Sequence, residues 1–210
     1  MFGALIPLKS NFTHALEIGS GTGLISLMLA QKHSQLLIKA IDIQQKAYEL
    51  TKLNFANSAW AERLTALYGD FKDFNFNHKF DVIFSNPPFY VNSLKSKQNF
   101  KNICKHTTEQ LHTDILNFAQ HYLAESGMLW LLLPLNESEK LIKNNSTNLT
   151  LVHQIKFYKS EDTPEFRIML GFSKIKKNLI TEECIIYIST QSLVYTNQVK
   201  SLLQPYYLYL

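Results

Sequence analysis

The chain has 210 residues, 46% of them hydrophobic and 18% charged, a balance that excludes a disordered or fibrous protein and predicts one globular domain over residues 1–210. Its longest uncharged apolar run, Gly127 to Leu135, is far short of the ~18 residues a membrane helix needs, and Met1 to Pro7 lacks the basic flank and cleavage site of a secretory signal. A net charge of +4 allows at most a local affinity for polyanions, and two cysteines, Cys104 and Cys184, are too few for a disulfide framework or a four-ligand metal site.

From Thr13 to Leu133, apolar runs alternate with helical periodicity, the pattern of a parallel α/β sheet. Ala15 to Ile18 reads as a first strand ending in glycines, and Leu24 to His33 as the helix that follows. Leu36 to Ile41 is a second strand closed by Asp42. Lys46 to Asn57 is a helix with apolar positions at Ala47, Leu50, Leu53 and Phe55. Leu64 to Tyr68 is a third strand, closed by Gly69-Asp70, and Phe80 to Phe84 a fourth, closed by Ser85-Asn86-Pro87-Pro88. A helix over Thr108 to Leu123 leads to the most apolar strand, Gly127 to Leu133. After Pro134 the pattern changes: Leu151 to Tyr158 and Phe166 to Phe172 read as an antiparallel hairpin. Ile185 to Ile188 reads as a short edge strand and Gln198 to Leu203 as a last helical turn. Five βα units followed by a hairpin differ from a dinucleotide-binding sheet, whose second half repeats the βαβ pattern.

Three of the seven glycines fall within Glu17-Ile18-Gly19-Ser20-Gly21-Thr22-Gly23, between a strand and a helix. The spacing is neither that of a pyrophosphate loop nor, without a following lysine and hydroxyl residue, that of a P-loop. Glu17 before the turn disfavours a phosphate and suits a cation. Asp42 ends the next strand, placed to accept both hydroxyls of a ribose, and Asp70 the third, where a carboxylate takes an adenine amine. The set describes S-adenosylmethionine (SAM): sulfonium, ribose and adenine without phosphate. The expected SAM site is Glu17, Gly19, Ser20, Gly21, Gly23, Asp42 with Ile43, Asp70 with Phe71, and Asn86.

Asn86-Pro87-Pro88-Phe89 follows the fourth strand, at the sheet edge where ligands sit in open α/β folds. The prolines fix the backbone, so the Asn86 side chain and the Pro87 carbonyl present two acceptors to an amine with two N–H groups. Phe89 supplies a face for stacking a base, worth ~1–3 kcal/mol. These four residues are the expected catalytic set. Beyond them, Val91 to Thr108 holds Lys95, Lys97, Lys101 and Lys105 without an acidic residue, a rim suited to phosphates around a flipped base. Arg167 and the cluster Lys174, Lys176 and Lys177 extend the basic track along the hairpin. With 19 lysines to 2 arginines, such contacts are point charges rather than base readout. The seven histidines show no metal spacing.

Together, Glu17 to Gly23, Asp42, Asp70 and Asn86 to Phe89 resemble the successive motifs of class I SAM-dependent amino-methyltransferases. The likeness is closer over Leu24 to Gln31, Asn57 to Glu62, Ser85 to Tyr90, Gly127 to Pro134 and the tail residues Ile185 to Tyr187 and Tyr195-Thr196. There the chain is similar to the bacterial family that methylates the adenine beside the anticodon of a valine tRNA. The resemblance implies a Rossmann-like α/β fold with a mostly parallel seven-stranded sheet, a C-terminal antiparallel hairpin and helices on both faces. It further implies transfer of a methyl group from SAM to adenine N6 of tRNA by a cytoplasmic monomer without metal, with Tyr90 and Arg167 among the RNA-binding residues. Family members usually begin with a further basic and aromatic segment before the part matching Gly3 to Pro7, which is absent here. Methylation of a protein glutamine, or of another RNA or DNA base amine, stays open on the motifs alone, as does a SAM- and RNA-binding protein without catalysis. Phe89-Tyr90 and the lysine-rich segment favour a base over a glutamine, and the intact Asn86 to Phe89 segment favours catalysis.

Overall fold

The computed structural model describes residues 1–87 and 98–208, with the side chains of 98–108 and 192 left aside. A short helix α1 (Phe2–Leu5) precedes strand β1 (His14–Ile18), helix α2 (Leu24–Lys32), strand β2 (Leu37–Asp42), helix α3 (Gln45–Ala56), strand β3 (Leu64–Tyr68) and strand β4 (Phe80–Ser85). Helix α4 (Gln98–Tyr122) runs into strand β5 (Leu123–Pro134) and helix α5 (Leu135–Lys143). Strands β6 (Thr150–Tyr158), β7 (Glu165–Ser173) and β8 (Ile180–Ile185) follow, then the small hairpin β9 (Tyr187–Ser189) and β10 (Ser192–Tyr195) and helix α6 (Asn197–Leu203).

The eight-stranded sheet has the order β3-β2-β1-β4-β5-β7-β6-β8. Its first five strands are parallel, β7 runs antiparallel to β5 and β6, and β8 runs parallel to β6. Parallel strands with helices on both faces bury both sides, which is why β1 and β4 are almost wholly buried. One core packs Phe84, Trp130 and Met169 of the sheet against α1, α2, Phe55 of α3 and α6. The other packs Leu16, Ile83 and Leu131 against α4 and α5. Cys184 is buried in the first core, and burial pushes its thiol up, as befits a packing residue. Arg63 closes the C-terminal end of α2 by donating to the carbonyls of Ala30, His33 and Leu36.

The sheet carries one strand more than expected. The edge strand lies at Ile180–Ile185 rather than Ile185 to Ile188, because its first four residues are exposed and show no apolar run. Helix α4 begins ten residues before Thr108, and β5 begins at Leu123 rather than Gly127. On α3 the buried positions are Thr51 and Phe55, one turn apart, while Leu50 and Leu53 are exposed. Lys174 lies at the far end of β7 from Arg167: its Nζ donates to the carbonyl of Leu123 at the start of β5, whereas Arg167 pairs with Pro134 at the end of β5. Seven residues of strand, roughly 23 Å, separate them, so Lys174, Lys176 and Lys177 do not continue the track of Arg167.

Candidate active site

The carboxyl ends of β1, β2, β3 and β4 open into a cleft of about 760 Å³, within the usual range for a small-molecule site. The turn after β1 forms one wall. Gly19, Gly21 and Gly23 all have positive φ, at 76°, 58° and 74°. A Cβ on Gly19 or Gly21 would meet nothing within 4 Å, whereas one on Gly23 would lie 2.6 Å from Cε1 of Phe55. The first two glycines therefore leave the backbone open to a ligand, and the third lets α2 start against α3. Helix α3 secures the turn from behind: Thr51 Oγ1 donates to the Gly21 carbonyl, Asn54 Nδ2 to the Thr22 carbonyl, and Ser20 shares a hydrogen bond with Thr51.

Asp42 sits at the centre. Its carboxylate accepts from the backbone N–H of Gly21 and of Gln44, both at 2.9 Å, which ties the glycine turn to the end of β2. The bonds fix its orientation and leave lone pairs for a diol. Asp70 caps the turn Phe71–Asp73 through the N–H of Lys72 and lies 3.4 Å from Lys72 Nζ, which also bridges to Asp114 of α4. The apolar sides of the cleft include Ile43 and Phe71, and Phe71 is held edge-on by Phe118. At the opposite end Ser85 donates to the Ile18 carbonyl at 2.6 Å, joining the ends of β4 and β1 just before Asn86 and Pro87.

Seven expected cofactor residues line this cleft: Gly19, Gly21, Asp42, Ile43, Asp70, Phe71 and Asn86. Glu17, Ser20 and Gly23 do not. Glu17 is fully buried beneath the turn, facing α2, where Ser26 donates to its Oε2 and its Oε1 has no partner. Burial is the main cause that pushes its pKa up to about 8, so at neutral pH it is largely protonated. The negative groups facing the cleft are instead Asp42, Asp70 and Asp114. Sequence reasoning missed the α4 wall of Gln110, Leu111, Asp114 and Ile115. Leu111 and Ile115, one helical turn apart, were its only signal. Pro88, Phe89, Tyr90, Lys95 and Lys97 lie outside the described residues, as do the side chains of Lys101 and Lys105. Asn86 is exposed, Pro87 is buried, and both also border a second cavity together with Arg167.

The cleft fits a cationic nucleoside donor. It leaves open space over two glycines, offers an oriented carboxylate for a diol and a second for an amine, and places three acidic groups along its walls. Among the described residues, no group of three His, Cys, Asp or Glu is placed to hold a metal ion, and no helix is long and apolar enough to cross a membrane.

Residues 5–159 match the methyltransferase small domain. The chain is 33% identical over 213 residues to a tRNA1(Val) (adenine(37)-N6)-methyltransferase of Christiangramia forsetii, covering 99% of this chain and 88% of that one. It is 34% identical over 215 residues to the protein of the same name in Histophilus somni, covering 98% and 88%. Among solved structures, a predicted O-methyltransferase from Agrobacterium tumefaciens superposes with a TM-score of 0.76 over 97% of this chain and 94% of that one. At 14% identity that likeness concerns the fold alone, that of a class I methyltransferase, whose methyl donor is of the SAM type.

Proposed function

The chain belongs to the family of tRNA1(Val) (adenine(37)-N6)-methyltransferases, and from that premise we propose that it methylates N6 of the adenine beside the anticodon of a valine tRNA, with SAM as donor. The observation that carries the reading is Asn86 at the end of β4, on the border between the donor cleft and a separate cavity.

Gly19 and Gly21 admit the donor against the backbone, Asp42 holds its ribose, and Asp70 takes its adenine amine. When bound, the donor supplies a methyl group on a positively charged sulfur. An aromatic amine is a poor nucleophile because its lone pair is delocalised into the ring. Asn86 Oδ1 and the Pro87 carbonyl accept its two N–H groups, draw the nitrogen towards tetrahedral geometry and free the lone pair. The Ser85 hydroxyl holds this pair in place against the end of β1, so nucleophile and methyl group meet in line. As the N–C bond forms, the C–S bond breaks and its electrons return to sulfur. The nitrogen then carries an acidic extra proton, which passes to water without a strong base. Pro88 and Phe89 complete the motif, and Tyr90, Lys95, Lys97, Lys101, Lys105 and Arg167 hold the RNA. The enzyme acts as a cytoplasmic monomer.

Methyl transfer from labelled SAM to separate pools of unmodified tRNA, ribosomal RNA, DNA and protein, followed by nucleoside analysis, tests the reading. Label in N6-methyladenosine of tRNA supports it. Label confined to protein moves the acceptor to a glutamine amide and overturns it.

A further inference from the structure

Lys174, Lys176 and Lys177 lie at the edge of the sheet opposite the donor cleft, where the parallel strands begin, and further cations share that edge. The neighbouring strands β2-β1-β4-β5-β7 set them in a row. Lys39 of β2 stands over the ring of Phe76. His14 of β1 packs against His78, which in turn meets Phe76 edge-on. Phe76 also meets Tyr122, whose ring carries Lys79, and Lys79 Nζ donates to the neighbouring carbonyl of His121. Lys174 Nζ donates to the carbonyl of Leu123, and Lys176 and Lys177 follow it, both exposed. Four steps between strands at ~4.8 Å make the row roughly 20 Å long. Among the described residues, none of Lys39, Lys79, Lys174, Lys176 and Lys177 forms an ion pair with a carboxylate. Of the acidic residues beside them, Asp81 accepts from the backbone N–H groups of Thr13 and His14, Glu182 pairs with His153, and Glu125 is exposed. The bonds to backbone carbonyls hold the Lys79 and Lys174 ammonium groups in place and leave each with further N–H donors.

We propose that this row is a second RNA-contact surface, which holds backbone phosphates of the tRNA body beyond the anticodon stem–loop. The inference rests on the functional reading above and adds to it where the rest of the RNA lies. Charge selects the occupant. Ammonium groups set in a line and not paired with carboxylates match a backbone that carries one negative charge per nucleotide, and binding releases the counterions of that backbone. Lysines present point charges without the fork that reads a base edge, so the contact follows the path of the RNA and not its sequence. Distance selects the part of the RNA. Strands β1 to β4 are five or six residues long, so at least roughly 20 Å separates the row from the cleft edge, before the turns at either end are added. With a loop base at Asn86, the base-paired stem spans that distance and brings the arms that follow it against the row.

The test measures binding of whole unmodified valine tRNA, and of its anticodon stem–loop alone, over a range of salt concentrations. Lys176→Gln combined with Lys177→Gln should lower the slope of log affinity against log salt for the whole tRNA by about 2 and weaken its binding about 10-fold. Adding Lys39→Gln, at the other end of the row, should lower the slope by about 1 more. Binding and methylation of the stem–loop should stay within about twofold of wild type, which also reports an intact fold and active site. Lys176→Arg with Lys177→Arg keeps the charges and should keep the wild-type slope. The inference is overturned if the glutamine variants retain the wild-type slope on whole tRNA, if they lose slope and affinity equally on the stem–loop, or if wild type binds a second tRNA that the glutamine variants do not. In each of these cases, methylation of adenine 37 by wild type leaves the functional reading standing. If wild type labels a glutamine peptide and leaves the RNA unlabelled, both fall.

Discussion

Replacing Glu17 by Gln should make the protein more stable at neutral pH and remove a pH dependence that wild type shows. In the folded chain the Glu17 carboxyl is wholly buried, keeps one oxygen without a partner, and has its pKa raised from 4.5 to about 8, chiefly by burial. Between those values the folded state binds more protons than the unfolded one, so stability falls as pH rises. It is unaffected below about 4.5 and reaches its full loss above about 8. At 1.36 kcal/mol per unit the complete shift corresponds to about 5 kcal/mol, of which about 3 is already expressed at pH 7. Glutamine has the same shape, still accepts from Ser26, and cannot ionise. Urea unfolding of wild type and Glu17→Gln without ligand, from pH 4.5 to 8.5, measures the effect. The curves should converge near pH 4.5 and separate progressively, with a midpoint difference of roughly 1 M urea or more at pH 7. Taking the difference between the two proteins cancels the titration of groups elsewhere. Curves that stay parallel across the range, or a variant less stable throughout, would refute the reasoning.

Asn86→Ala should lower kcat by about 10²-fold or more, with SAM affinity changed only a few-fold; single-turnover transfer beside equilibrium binding separates the two, and unaltered turnover removes Asn86 from catalysis. Asp42→Ala removes the diol acceptor together with the bonds to the Gly21 and Gln44 amides, so calorimetry should find SAM Kd raised about 10-fold or more. An unchanged constant would place the ribose elsewhere. Gly23→Ala combines a left-handed backbone with a Cβ 2.6 Å from Phe55, and should cost about 2 kcal/mol or more. Gly21→Ala, which meets no neighbour, should cost about half that and chiefly weaken SAM binding; thermal unfolding of the two side by side checks the order.

The sequence revealed the parallel half of the sheet because strands covered on both faces are continuous apolar runs. It also revealed the glycine turn, since that conformation leaves few other residues possible. The edge strand was displaced because Thr181, Glu182 and Glu183 are exposed and break any apolar run. Helix α5 was missed because Pro134 reads as a stop, whereas it stands immediately before the first helical residue. In the site, the cleft residues at strand ends were legible because topology alone brings strand ends together. The α4 wall was not, since which face of a helix meets a cleft depends on packing. Glu17 shows a further limit of motif reading. Its neighbours Ile18 and Gly19 line the cleft, but strand alternation turns its own side chain to the opposite face of the sheet.

The placement of the two cavities on either side of Asn86 and Pro87 has a kinetic consequence. The two share only Asn86 and Pro87 among their described lining residues, so a donor and an acceptor seated one in each do not exclude one another, and the spent donor exchanges without the RNA having to leave first. The order of addition is then random, with both partners present at transfer and no methylated form of the enzyme in between. In initial-rate plots, lines for varied SAM at fixed RNA concentrations intersect instead of running parallel, and the demethylated donor competes with SAM but not with RNA.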